Sequence, residues 1–407
     1  MSSNDLSSAQ VTTSTERAMP IRALHVLILG GLSAIGPLST DMYLPALPAL
    51  SHELSSTVSQ AQLTLSAGIL GLSLGQVLAG PSSDALGRRR PLLIGLVAFA
   101  LASLLCIIAP SIAILTVLRF VQGIAGAAGI AIGLAIVSDM YAGSLQARVF
   151  SLLMLVSGLA PIIAPVIGSQ LLAFTSWRGI FVLLALIGLA LLFAVTFGLD
   201  ETLPVARRQS GGLVATLRAF RDLLLNRRFV GYAFASGFAF AAAIIYISVS
   251  PFILQNIYGV SPQRVGILFG INALGLVIMA QVGGKLVGRV SSQTLLAWGV
   301  AALAIGATAL LVVVLSGIGL VGILPALFVI VASLGLVAPN ATSLALSDTQ
   351  VAGSAAALLG MVQFSIGAVA APLVGLAGSA SAVPMASAIA AFGIAALLTF
   401  IFFCRPA

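Results

Sequence analysis

The sequence predicts an all-helical membrane protein that crosses the bilayer about twelve times. Three observations predict it: the scarcity of charge, the length of the apolar runs, and the placement of the basic residues. Hydrophobic residues make up 60% of the 407 residues, and charged residues only 7%. A soluble domain carries roughly 25% charged residues, so most of this surface faces lipid. The net charge of +8 does not form a nucleic-acid patch. The basic residues sit between apolar runs, as in the loops of a membrane protein.

An apolar run of about 20 residues crosses the hydrocarbon as a helix. The runs fall at 22–44, 59–80, 91–109, 112–138, 148–172, 178–198, 229–252, 263–286, 293–315, 320–340, 353–377 and 381–403. Between 293 and 340 only Gly317 and Gly319 break the apolar run. The segment 200–228 is the one long polar stretch after the N-terminus and separates six spans from six. The expected organisation is a disordered cytosolic tail (1–20), a six-helix bundle (21–199), a cytosolic linker (200–228) and a second six-helix bundle (229–407). The tail is polar and lacks the layout of a secretory signal.

Basic residues set the orientation. With the N-terminus in the cytosol, inner loops and tails carry Arg17, Arg22, Arg88, Arg89, Arg90, Arg148, Arg207, Arg208, Arg218, Arg221, Arg227, Arg228, Lys285, Arg289 and Arg405. Only Arg178 and Arg264 fall outside, and Arg119 lies within a span. Fifteen against two obeys the positive-inside rule and checks the span count, because one missed helix would invert every later loop. Cys106 and Cys404 have neither a nearby partner nor metal-ligand spacing, which leaves no disulfide and no metal site to expect. Ala164-Pro165-Val166-Ile167-Gly168 resembles Ala371-Pro372-Leu373-Val374-Gly375 at an offset of 207, the spacing of a duplicated six-span unit.

Between spans two and three the chain reads Gly80-Pro81-Ser82-Ser83-Asp84-Ala85-Leu86-Gly87-Arg88-Arg89-Arg90. Gly80 would let two helices approach closely. Asp84 is poorly placed for the dipole at a helix C-terminus and needs a partner. Arg88 is the obvious one, and Asp139 at the end of span four is a second acceptor for that arginine. Either the arginines only fix topology, or they form a charged latch that holds helices together in one conformation.

Span four carries Arg119, with Gln122 and Gly123 on the next turn. Arg119 lies nine residues past Pro110, about 13 Å along the helix. A cation at that depth must snorkel or find a partner. Asp41, in Ser39-Thr40-Asp41-Met42-Tyr43-Leu44-Pro45 at the outer end of span one, either meets Arg119 in a central cavity or sits at the interface beside Pro45 and Pro48. Span five holds Gly158, Pro161, Pro165 and Gly168. Its prolines remove backbone hydrogen bonds and its small residues make a smooth face, so it suits a sliding interface or a static kink. In the second half, Tyr246, Asn272, Gln281, Asn340 and Gln363 are the intramembrane polar groups, each a candidate for the cavity wall or for a helix–helix hydrogen bond. Such a lining suits a neutral amphiphile better than a sugar.

These motifs resemble the major facilitator superfamily, specifically its twelve-span drug/proton antiporters, from about Leu24 to Phe403. Gly80 to Arg90 resembles the loop 2–3 signature, and Arg119, Gln122 and Gly123 resemble the span-four motif tied to proton coupling. Gly158, Pro161, Pro165 and Gly168 loosely resemble the antiporter motif. Thr40 to Pro45, Trp177-Arg178 and Glu201-Thr202-Leu203-Pro204 resemble the Bcr/CflA-type drug-resistance exporters. The resemblance implies two pseudo-symmetric six-helix bundles of the major facilitator fold. It also implies export of amphiphilic drugs of the bicyclomycin or chloramphenicol kind in exchange for protons. Two departures stand out. The second-half copy, Gly284-Lys285-Leu286-Val287-Gly288-Arg289, lacks its acid, and Ser33 stands where some relatives carry a second carboxylate.

The expected mechanism rocks the bundles about a central cavity while Asp41 alternates between protonated and charged forms, beside Arg119. Expected partners are a small-molecule substrate, protons and the lipid bilayer of the cytoplasmic membrane, with both termini cytosolic. No cofactor and no nucleic acid are expected, and the unit is expected to be a monomer. His25 and His52 lie near opposite ends of span one, and no metalloprotease, nucleophile-elbow or phosphate-loop pattern occurs, which argues against an enzyme or an ATP-driven pump. A channel would need more ionisable lining. Export of a native metabolite, or proton-coupled uptake, remain the alternatives.

Overall fold

The computed structural model describes residues 23–141, 143–208, 212–347, 352–378 and 380–404. The N-terminal tail with Arg17, Arg22 at the start of the first run, and Arg405 lie outside the described residues. Among the described residues fourteen α-helices follow one another: α1 Ala23–Asp41, α2 Leu47–Glu53, α3 Val58–Leu86, α4 Arg89–Ile107, α5 Ile112–Met140, α6 Gly143–Leu171, α7 Arg178–Gly198, α8 Gly212–Leu225, α9 Arg227–Phe252, α10 Pro262–Leu286, α11 Ser292–Leu315, α12 Leu320–Ser347, α13 Ala352–Gly375 and α14 Val383–Thr399. Among the described residues twelve spans are long and apolar enough to cross a membrane, each overlapping one predicted run.

Span one is composite. After α1 a 3₁₀ turn at Leu44–Ala46 passes through Pro45, and α2 completes the crossing. Thr57 closes a capping box with Gln60 at the start of α3. Gly317 and Gly319 take positive φ at the break between α11 and α12, as their lack of a Cβ allows. The polar linker holds a helix that hydropathy alone does not reveal. In α8, Phe220 and Leu223 are buried while Arg218, Arg221 and Asp222 are exposed, and the helix packs on α9 and α13.

The helices form two bundles, α1 with α3–α7 and α9–α14. Within the first, α3 and α5 touch backbone to backbone. A methyl group on Gly71 would strike the Phe120 carbonyl oxygen, and one on Gly123 would strike that of Gly68. Between the bundles, α3 meets α13 and α6 meets α10, the paired seams that a duplicated six-span unit produces.

Candidate transport site

Both seams close at one face. Ser59 Oγ donates to the Pro372 carbonyl (2.9 Å), Gln62 Nε2 to the Ser248 carbonyl (3.5 Å) and Gln255 Nε2 to the Pro45 carbonyl (3.1 Å). Gly168 lies against the Met42 backbone, and Gly266 against Ser169 and the Pro165 carbonyl. The two copies of the Ala-Pro-x-x-Gly repeat therefore occupy equivalent places, one at each seam. Toward the other, arginine-rich face the bundles part. A cavity of about 230 Å³ lies there, lined by Ser73, Gln76 and Val77 of α3, Ala131 of α5, and Ala356, Ala357, Gly360 and Met361 of α13. Gly80, expected to permit close helix packing, has nothing within 4 Å of where a Cβ would stand. Close approach belongs instead to Gly68, Gly71 and Gly75, about one to three turns toward the closed face, because the seam is already open at Gly80.

Arg119 is 1% exposed and does not snorkel. Its Nη1 donates to Gln122 Oε1 (2.5 Å) and its Nη2 to the Ser39 carbonyl (2.9 Å). The guanidinium carbon lies 5.0 Å from the Tyr43 ring centroid and 5.7 Å from that of Phe181. Gln122 in turn donates to Ser103 Oγ (2.6 Å), and Tyr43 shares a hydrogen bond with Thr64 (2.8 Å). Each partner answers a separate need. Ser39 lies in the last turn of α1, where carbonyls lack intrahelical donors, and a cation suits the negative end of that helix. The aromatic faces receive a charge stripped of water. Gly68 leaves room for the guanidinium, since a methyl there would approach Nη2 to 3.1 Å.

Asp41 is not among these partners. The expected meeting of Asp41 with Arg119 does not occur in this conformation, because the end of α1 presents its backbone to the arginine. The half-buried Asp41 carboxylate accepts a hydrogen bond from Thr40 (3.0 Å), and among the described residues it has no other side-chain hydrogen bond. Depth along a helix was readable from the sequence, but the rotational position of each side chain was not. Ser39, Ser103 and Phe181 carried no signal beyond polarity or ring size, and Tyr43 entered only as part of the Thr40 to Pro45 resemblance.

The residues expected to form a charged latch, Asp84, Arg88 and Asp139, meet. Arg88 Nε donates to Asp139 (2.8 Å), and its Nη1 donates to Asp84 (2.5 Å) and Ser83 (2.8 Å). Burial works against the Arg88 charge, but Asp139 and Asp84 outweigh it and hold the arginine above its ordinary range. The segment after α7 joins in. Thr202 donates to Asp139 (3.2 Å), while Glu201 accepts from the backbone N–H of Arg88 (2.8 Å), Leu203 (3.0 Å) and Arg89 (3.3 Å). Burial of Glu201 opposes its charge, but these donors and the Arg208 guanidinium, 3.9 Å away, keep its carboxyl below the ordinary 4.5. Gly87 turns the chain at φ 90°, and a methyl there would strike the Glu201 carboxylate. The cluster joins α3, α4, α5 and the start of the linker, all on the arginine-rich face.

At the closed face, Glu53 pairs with Arg178 and accepts from Trp177 Nε1 (2.7 Å), fastening α2 to α7. In the second bundle, Asn272 donates to the Tyr246 hydroxyl (2.6 Å) and both are buried, a bond between α10 and α9. Asn340 donates to the Leu336 carbonyl of its own helix, Gln281 is exposed, and Gln363 is half-buried on α13. Helix α6 runs unbroken through Pro161 and Pro165, and Gly158 makes only ordinary contact with Val277.

Comparison with known proteins agrees with this architecture. Residues 29–372 match the family model of the Major Facilitator Superfamily. The chain is 39% identical over 367 residues to an uncharacterized MFS-type transporter, YdgK, of Bacillus subtilis, covering 89% of this chain and 91% of that one. It is 30% identical over 380 residues to a bicyclomycin resistance protein homolog of Haemophilus influenzae, covering 93% and 96%. A chloramphenicol resistance protein of Pseudomonas aeruginosa is 31% identical over 293 residues, covering 71% and 68%. Among solved structures, a nucleoside transporter, NupG, superposes with a TM-score of 0.76 at 14% identity, covering 93% of this chain and 98% of that one. A D-xylose–proton symporter gives 0.73 at 15% identity, covering 94% and 98%. Twelve apolar spans in two bundles, paired seams and full-length relatives place the chain in the Major Facilitator Superfamily, a multi-pass membrane transporter akin to its drug-resistance members.

Proposed function

We propose that the protein exports small amphiphilic drugs across the cytoplasmic membrane in exchange for protons, by alternating access and as a monomer. Its arginine-rich face and both termini lie in the cytosol. The observation that carries this reading is Asp41, a half-buried carboxylate inside a span whose side-chain hydrogen bond, among the described residues, comes from Thr40 alone. A group so placed is poised to change charge with its surroundings.

Arg119 grips the Ser39 carbonyl two residues before Asp41. A change of charge at Asp41 would therefore shift the end of α1 and load the Arg119–Gln122 cluster of α5. The cavity on the open face offers Gln76, Ser73 and small apolar side chains, a lining suited to a neutral amphiphile. The relatives named for bicyclomycin and chloramphenicol resistance favour the same class. One proton falling through about 100 mV releases about 2.3 kcal/mol, and a tenfold substrate gradient costs about 1.4 kcal/mol, so one proton per neutral molecule suffices.

The test is drug accumulation in cells that express the wild type or Asp41→Asn, with and without an uncoupler, across a panel including chloramphenicol. The wild type should lower accumulation, and both the uncoupler and the substitution should abolish the effect. Persistent gradient-dependent export by Asp41→Asn would remove Asp41 from the coupling step.

A further inference from the structure

We propose that the first bundle carries a binding site for an anionic phospholipid, drawn from the leaflet on the arginine-rich face. Helices α3 and α4 both pack on α5 but touch each other little. Between them runs a groove of about 340 Å³, with α5 as its floor and α3 and α4 as walls. The small side chains Gly75, Ala79, Gly95, Ala98, Ala125 and Ala128 hollow it out. The rims are apolar and turned outward: Leu78 is 48%, Leu86 53%, Ile94 67% and Val121 43% exposed. This groove lies outside the first bundle, away from the seam with α13, and takes no part in the transport site.

Its length and its charge select the occupant. From Leu86 to Gly75 the α3 wall spans eleven residues, about 16 Å at 1.5 Å per residue. That matches the half-thickness of the hydrocarbon, about 15 Å, so one acyl chain fills it lengthwise. Arg90 stands at the mouth. It lies one turn before Ile94 on the same α4 face, adjoins the groove residue Pro91, and is exposed. Among the described residues it forms no ion pair, whereas the nearby carboxylate of Asp84 is held by Arg88 and that of Glu201 by the linker contacts. A free arginine at the interface end of an acyl-length slot fits a phosphate headgroup of net negative charge.

The experiment uses the full chain in lipid nanodiscs containing phosphatidylglycerol or phosphatidylcholine with a photoactivatable diazirine on the acyl chain. Cross-links are mapped by mass spectrometry. Exposed Ile305 of α11 serves as the internal reference for ordinary lipid contact, so a partly unfolded variant is recognised. Labelling at Leu78, Ile94 and Val121 should exceed the reference, and phosphatidylglycerol should be favoured over phosphatidylcholine by about fivefold, the factor one juxtamembrane arginine contributes. Arg90→Gln should erase that preference while labelling persists, and Ala98→Phe should fill the slot and reduce labelling to the reference. Equal labelling by the two lipids, or labelling indifferent to Ala98→Phe, overturns the proposal. Displacement by unlabelled chloramphenicol would assign the groove to a drug and also overturn it.

Discussion

Arg119→Met removes a buried cation and keeps most of the stem volume. Two acceptors then lose their donor, the Ser39 carbonyl and Gln122 Oε1. A buried unsatisfied acceptor costs about 1–3 kcal/mol, so the pair amounts to about 2–6 kcal/mol. Relief of the desolvated charge offsets part of this, which places the net loss toward the lower end, about 2–3 kcal/mol. Across 407 residues, an unfolding entropy of about 2.1 cal/mol/K per residue turns that loss into a drop of about 2–4 °C. The assay is thermal melting of purified protein in detergent, alongside gradient-dependent drug export. Gln122→Leu supplies the second arm. With the amide acceptor already gone, Arg119→Met should cost less than it does alone, so the double variant should be more stable than the sum of the singles by about 1 kcal/mol. Strict additivity would refute the Arg119–Gln122 coupling within α5, and a melting temperature unchanged by Arg119→Met would refute the idea that the guanidinium holds the end of α1 to α5. Arg119→Lys should recover only part of the loss, because an ammonium lacks the fork that reaches both acceptors.

Gly87→Ala should destabilise the protein by about 1–3 kcal/mol, from positive φ and from contact with Glu201. Pairing it with Glu201→Ala should relieve the contact but not the backbone strain, a partial recovery visible by melting. Glu201 also predicts a pH dependence. Its folded carboxyl lies below 4.5, so its contribution is present above the unfolded value and fades as pH falls through the folded one. The melting temperatures of wild type and Glu201→Gln should therefore differ near pH 7 and converge as the pH falls through the folded value, which lies below 4.5. A difference that persists in acid would show that the carboxylate charge contributes nothing to this cluster.

The spans were legible because hydropathy over some twenty residues is an average, indifferent to which way any side chain points. Arg88 with Asp84 and Asp139 was legible for a related reason: the three sit at helix ends on one face, where few other partners exist. Arg119 exposed the limit. Its depth followed from rise per residue, but each residue also turns the side chain by about 100°, and the acceptor is the backbone carbonyl of Ser39 rather than the Asp41 side chain. Gly80 failed likewise, since packing chose the glycines one to three turns further along α3. Glu201 and Thr202 entered the sequence reading only through resemblance, because a polar residue in a polar loop carries no periodicity. Helix α8 was hidden by its arginines, although Leu213, Leu217, Phe220 and Leu224 recur at helical spacing.

The fastening of Glu201 and Thr202 to the α3–α4 turn shortens the leash between the bundles. By sequence, 28 residues separate Gly198 from Arg227, yet the first few are moored to Arg88 and Asp139, and α8 is berthed against α9 and α13. Between those moorings the sequence holds eight residues, 204–211. Fully drawn out they reach roughly 30 Å, which caps how far the arginine-rich ends can part before Glu201 must let go.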